Sequence, residues 1–235
     1  MEEKVEISVV MPCLNEAGTI GTCVQKAKIA LKRIKLNGEI IIADNGSSDG
    51  SPQIAQSLGA KVILQPIKGY GNAYIAGIKA AKGRYIIIAD SDDTYDLSEM
   101  PKFIEKLDEG YDLVMGTRLK GKILPEAMPW LHRYVGNPVL TRILNLLFKA
   151  GVSDAHCGMR AFRKDAYDKM SLKSGGMEFA SEMVIKAAVM KMKIAEVPIT
   201  YYPRKGESKL RTFSDGWRHL RFMLSMKVEG WLGRC

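Results

Sequence analysis

Three apolar runs constrain the fold more than any other feature of this chain. "VEISVVMP", "EIIIAD" and "GRYIIIAD" carry no polar alternation, and each stops abruptly at proline or aspartate. An alternating strand has one wet face, whereas a continuously apolar strand is covered on both, as in a parallel sheet between helical layers. The intervals supply the helices. "EAGTIGTCVQKAKIALKRIKL" sets Ile20, Val24, Ala27, Leu31 and Ile34 at helical spacing. "SPQIAQSLGA" and "YGNAYIAGIKAA" are shorter helical stretches, and "KVILQ" is a further strand. Strand and helix therefore alternate from Val5 to Asp90, which predicts an α/β fold.

Beyond Asp90 the alternation loosens. "YDLVMGTR" reads as a strand, "EFASEMVIKAAVM" as a helix, "KIAEVPITYY" as a strand and "WRHLRFMLSMKVEGWL" as a terminal helix. Residues 122–149 mix proline, glycine and apolar residues without a clear period. No linker, repeat or low-complexity tract divides the 235 residues, and a hydrophobic content of 46% is enough for one substantial core. The expectation is one domain over 1–235 with an irregular, basic C-terminal half.

The formal charge of +9 is unevenly placed. Segment 117–149 holds six basic residues against one acid and segment 200–235 eight against three, so the remaining sequence is close to neutral. Two basic segments call for an anionic partner: nucleic acid, a phosphate substrate or a lipid surface. The four cysteines form no C-x-x-C pair, and no histidine stands at zinc-ligand spacing from one, which argues against structural zinc and a disulfide framework. "MEEKVEISVV" lacks a charged-then-apolar signal segment, and no window approaches the ~20 apolar residues of a bilayer span. The expectation is a cytosolic start and a chain that does not itself cross a membrane.

Ligands of parallel sheets bind outside the carboxyl ends of the strands. "MPCLNE", "ADNGSSDG" and "ADSDD" are therefore expected along one edge. Neither G-x-G-x-x-G nor G-x-x-x-x-G-K-[ST] follows a strand, so dinucleotide and P-loop readings are weak. Asp90 and Asp92 repel each other unless they share a cation, and Mg²⁺ is usually held by one or two carboxylates plus substrate phosphates. The competing reading is a solvated acidic loop whose "SDD" caps the next helix.

In order along the chain, "VVMPCLNEAGTI", "IIIADNGSSDGS", "KGYGNAYIAG", "IIIADSDD", "GTR", "SDAHCGMRAF", "GMEFASEM" and "GESKL" resemble a family 2 glycosyltransferase of the dolichyl- or polyprenyl-phosphate sugar synthase type. The likeness extends from about residue 7 to about residue 222. It implies the GT-A fold, a Rossmann-like, mixed but mostly parallel sheet flanked by helices. It also implies a nucleotide-sugar half over about 1–116 and an acceptor half over about 117–235. On the donor side it points to Pro12, Leu14, Asn15, Glu16, Asp44, Asn45, Lys68, Asp90, Ser91 and Asp92. Asp90 and Asp92 would hold Mg²⁺ or Mn²⁺, with Asp92 the direct ligand. Glu16 suits a helix first turn equally well, and the glycines around Lys68 are equally ordinary turn residues.

For the acceptor the resemblance points to Arg118, Arg133, Asn137, Arg204, Lys205, Ser208 and Lys209, since the arginine fork binds phosphate oxygens in bidentate fashion. Asp92, Asp154 and Arg118 are the expected catalytic residues. Asp154 would orient sugar or acceptor, with general base as a lesser role and a helix cap or partner for Arg160 as the alternative. Glu178 and Glu182 would reach the sugar hydroxyls, while His156 and Cys157 read as packing or loop residues. A phosphate monoester is already largely dianionic at neutral pH and needs no base.

Helices near 128–148 and 214–232 fit a membrane surface. In the second, Trp217, Leu220, Leu224, Val228 and Trp231 share a face flanked by Arg218, Arg221 and Lys227; packing of that stripe on the core is the alternative. The implied partners are a nucleotide sugar, dolichyl or polyprenyl phosphate and an anionic membrane surface, with no nucleic acid. The implied place is the cytoplasmic membrane face, peripherally or in a chain shortened ahead of membrane-spanning helices. "GMEFASEM" and "GWRHLRF" are closer to glucose-type than to mannose-type relatives, which favours UDP-glucose over GDP-mannose. A soluble hydroxyl acceptor is the competing expectation.

Overall fold

The structure is a computed structural model that describes residues 4–205 and 212–232, with side chains in the last helix from 216 to 228. Ser208 and Lys209 lie outside the described residues. The apolar runs become β1 (Ile7–Cys13), β2 (Gly38–Asp44), β3 (Lys61–Leu64) and β4 (Tyr85–Ile88), paired in parallel in the order β3-β2-β1-β4. The seven-stranded sheet continues through β6 (Arg160–Arg163), β5 (Leu113–Ile123) and β7 (Ile194–Tyr201). β6 is antiparallel to both β4 and β5, and β7 is parallel to β5. The sheet is thus mixed and mostly parallel, as expected.

Side chains that alternate along each strand enter two separate cores. Val9, Met11, Ile40, Ile42 and Ile87 face α1 (Ile20–Ile34), α2 (Ser51–Ser57) and α4 (Met100–Asp108). Val10, Ile41, Ile86 and Ile88 face α3 (Tyr70–Ala80), α5 (Asn137–Phe148), α6 (Lys164–Met170), α7 (Phe179–Val189) and α8 (Thr212–Leu232). Each fully buried isoleucine contributes about 1.5–3 kcal/mol, so the triplets of β2 and β4 stabilise both layers at once.

β6 and α6 were not legible as elements. "RAFR" is four residues long and begins and ends in arginine, so neither length nor hydrophobicity marks it. The region 122–149 resolves into the end of β5, a single π-turn at His132–Gly136 and α5. β5 extends to Ile123 and bulges against β7 between Thr117 and Lys122. Gly121 makes the bulge possible, because a Cβ there would overlap the Ile199 carbonyl. Pro198 is tolerated inside β7 because β7 is an edge strand.

The two amphipathic segments each present two faces. In α8, Met223 is buried and Leu220 packs on the core, while Trp217 (67% exposed), Leu224 and Val228 point outward. Around α5, Thr141 and Leu144 are buried and Trp130 (68% exposed), Leu131, Tyr134, Val135, Val139 and Leu146 are exposed. The expected single stripe on α8 is therefore corrected: Leu220 turns inward. The Trp231 side chain lies outside the described residues. Among the described residues no helix is long and apolar enough to cross a membrane.

Candidate active site

β1, β2 and β4 end on one edge, with Cys13 opposite Asp44 and Val10 opposite Ile88. The loops that follow are tied together by polar side chains. Ser91 Oγ donates to the Pro12 carbonyl at 2.6 Å, and Thr19 Oγ1 donates to the Ser91 carbonyl at 2.7 Å. Asn15, at φ +54°, accepts the Ser48 N–H at 2.8 Å. Asp44 accepts the Gly46 and Ser47 N–H groups at 3.0 and 3.1 Å. Asn45 donates to the carbonyls of Gln65 and Ile67 and accepts the Gly69 N–H. Asn45 and Ser91, expected to touch the donor, use their polar atoms here to hold neighbouring loops on the same edge. Pro12 and Leu14 are half-buried on this edge, and Lys68 is exposed beside it.

The acidic cluster is built with unequal surroundings. Asp90 Oδ1 accepts from both Tyr70 and Tyr74, each at 3.0 Å. The two tyrosines stand one turn apart on α3 and meet edge to face at 4.9 Å. Burial, then the neighbouring charge of Asp92, pushes Asp90 up to about 6, against the opposing pull of the two phenols. Asp92 Oδ1 accepts from the Thr94 N–H and hydroxyl at 3.1 and 2.6 Å. Its Oδ2 receives Arg204 at 2.7 Å, and the same guanidinium reaches Glu16 at 2.7 Å. Asp93, in left-handed backbone at φ +62°, is shared by Lys26 at 2.7 Å and Lys205 at 3.0 Å. Tyr70, Tyr74 and Lys26 escaped the sequence reading, although the i, i+4 tyrosine pair in "YGNAY" was its visible signal.

Opposite this edge lies a buried ion pair. Arg118 donates from Nε and NH2 to Asp154 Oδ2 and Oδ1, both at 2.7 Å, and its backbone N–H adds a third bond at 3.0 Å. Burial raises the Asp154 carboxyl, but the charge and hydrogen bonds of Arg118 outweigh it and hold Asp154 below the usual carboxylate range. The partner of Asp154 is therefore Arg118. Arg160 instead donates to the carbonyls of Ala155, Cys157 and Ala180 and locks the loop that carries Asp154. That loop also brings Gly158 so close to Asp90 that a Cβ would stand 2.7 Å from Oδ2. Tyr201 spans the gap, with Arg118 over its ring at 5.2 Å and the Tyr95 ring at 5.3 Å. Ion pair and acidic cluster thus share one site.

Other expected residues make contacts of their own. The carboxylate of Glu182 accepts the Lys173 and Ser174 N–H groups and pairs with Lys186. Glu178 pairs with Arg218 on α8 at 3.1 Å. Arg133 stacks on Tyr134, and Asn137 donates weakly to Met128 sulfur, so their own contacts are local. His156 is bonded through Ser181 to His219, a buried link between the Asp154 loop, α7 and α8.

The donor set suits a hard cation. Glu16, Asp92 and Asp93 pair directly with Arg204, Lys26 and Lys205, whereas the hydrogen bonds of Asp90 come from two phenols and the charge of Arg204 reaches it only through space. Carboxylate oxygens fit Mg²⁺ or Mn²⁺ better than a soft metal. Among the described residues no group of three or more histidine, cysteine, aspartate or glutamate side chains is gathered to hold a metal, so a cation here would draw on the carboxylates of Asp90 and Asp92 together with oxygens of a bound ligand.

A family model described as glycosyl transferase family 2 matches residues 8–171. The chain is 51% identical over 227 residues to the low-salt glycan biosynthesis hexosyltransferase Agl6 of Haloferax volcanii, covering 96% of this chain and 54% of that protein. It thus spans about half the length of that relative. It is 37% identical over 213 residues to the dolichyl-phosphate hexose transferase of the same organism, covering 90% and 89% of the two chains. Among solved structures, glucosyl-3-phosphoglycerate synthase from Mycobacterium tuberculosis in complex with Mn²⁺, UDP and phosphoglyceric acid is similar at a TM-score of 0.77 and 20% identity, covering 95% and 78%. At that identity the likeness is one of fold.

Proposed function

The chain belongs to glycosyl transferase family 2, and on that premise we propose that it moves a hexose from a nucleotide sugar to dolichyl or polyprenyl phosphate. The observation that carries this reading is the Arg118–Asp154 pair. Asp154, held ionised and bonded on both oxygens, is a poor general base, and a hydroxyl acceptor needs one. An acceptor that arrives as a phosphate anion does not. The name of the Haloferax dolichyl-phosphate hexose transferase supports the same choice.

In the reaction, an oxygen of the acceptor phosphate forms a bond to C1 of the sugar. The C1–O bond to the diphosphate breaks, the nucleoside diphosphate leaves with the electron pair, and C1 is inverted. Asp90 and Asp92 would hold Mg²⁺ or Mn²⁺, which when bound neutralises charge on the leaving diphosphate. Asp44 and the 14–16 loop bind the nucleoside. Arg118, kept in place by Asp154, presents its remaining face to the acceptor and offsets repulsion between the two phosphate groups. UDP-glucose is the favoured donor.

The outward stripes of α5 and α8 complete the reading. Trp130, Trp217 and Leu224, with Arg133, Arg142, Arg221 and Lys227 on the same two segments, suit the headgroup layer of an anionic leaflet. The site would then work at the cytoplasmic face. Replacing Trp130 and Trp217 together by alanine is expected to weaken binding to anionic vesicles about tenfold in co-sedimentation, while leaving turnover of a short, water-soluble prenyl phosphate intact.

The assignment is tested by incubating the protein with radiolabelled nucleotide sugars, Mg²⁺ and polyprenyl phosphate, then extracting the lipid. Label from one hexose donor should enter the organic phase. Label transferred only to water-soluble products would overturn it.

A further inference from the structure

Arg204 follows β7 and lies across the carboxylate edge, bridging Asp92 and Glu16. Because Thr94 engages Asp92 Oδ1 twice, Oδ2 is the oxygen left to a ligand, and Arg204 holds it. The guanidinium is not fully satisfied there: Nε is buried and has no acceptor among the described residues. Neighbouring Asp93 already carries Lys26 and Lys205 and offers no second seat.

We propose that Arg204 is the resting counter-ion of the donor edge, that it and a divalent cation exclude each other at Asp92 Oδ2, and that its release there delivers its fork to a phosphate group. This rests on the metal-dependent transferase reading. Two cations on one carboxylate oxygen repel at short range, so one of them leaves. A phosphate, with several acceptor oxygens, satisfies Nε and a terminal nitrogen together, which the strap position does not. Arg204 thereby makes acceptance of metal and donor the event that readies a phosphate contact. By linkage, whatever lowers the hold of Arg204 on Asp92 raises the affinity for metal by the same factor.

The test is Mn²⁺ binding to the full chain, read from the paramagnetic signal of free Mn²⁺, in wild type, Arg204→Met and Arg204→Gln, with folding checked by thermal melting. Without nucleotide, the folded variants are expected to bind Mn²⁺ at least about tenfold more tightly than wild type. Equal affinity in wild type and variants, with UDP still enhancing Mn²⁺ binding in all, overturns the proposal and leaves the transferase reading standing. No Mn²⁺ binding by any of them, with or without UDP, overturns both. Two further titrations of the same proteins locate the phosphate. Weaker UDP binding in the presence of Mn²⁺ assigns the fork to the donor diphosphate, and weaker binding of a short prenyl phosphate assigns it to the acceptor. Loss of neither overturns the hand-over.

Discussion

Asp154→Ala is expected to destabilise the protein by about 3–5 kcal/mol, a fall in melting temperature of roughly 6–20 °C for a chain of this size. The alanine removes the partner of a buried arginine whose Nε, NH2 and backbone N–H all point at it. An uncompensated buried charge is far more costly than the loss of a surface pair. The double variant Arg118→Met/Asp154→Leu removes both charges and is expected to recover most of that stability while remaining inactive, which separates the structural role of the pair from its place in transfer. If Asp154→Ala melts like wild type, the pair is not buried as described. The pH dependence has a definite sign. Because Asp154 is depressed in the folded state, its contribution is present above the ordinary carboxylate range and disappears as the pH falls through its lowered value.

Asp92→Asn should behave in the opposite way. The amide keeps the shape of the side chain and an acceptor for Thr94, so the melting temperature is expected to stay within a few degrees of wild type. Turnover is expected to fall about 10³-fold or more, because the charge that would hold the cation on the leaving diphosphate is gone. Measured kcat on the best donor of the panel checks this. Retention of more than a tenth of the wild-type rate would remove Asp92 from the centre of the mechanism. Chelation by EDTA should mimic the substitution, with activity restored by Mn²⁺ or Mg²⁺.

The parallel half of the sheet was legible because its strands are buried on both faces, a condition that writes itself as unbroken isoleucine and valine. The acidic strand end was legible for the complementary reason, since so much like charge at a strand exit has few structural uses. What failed to show was partnership. Nothing in "ADNGSS" announces that Asn45 stitches residues 65–69 together. Glu182 was expected to reach sugar hydroxyls, and its anchoring of the 173–174 backbone from a helix buried nearly all round has no local signal. Arg160 is 1% exposed and donates to three backbone carbonyls, a placement that no local pattern announces. α8 shows the same limit, because its period predicted amphipathicity and only packing decides which stripe faces the core.

The antiparallel β6 also carries a consequence for synthesis. β4 takes its second neighbour from a segment that does not exist until residue 160 has been made. At roughly 5–20 residues per second, the Tyr85–Ile88 edge remains open for several seconds after it leaves the ribosome. A bare row of aromatic and branched side chains is the kind of template that nascent chains pair with wrongly. Arg84 and Asp90 bracket that row at either end, where charged gatekeepers hinder edge-to-edge pairing until its proper partner arrives.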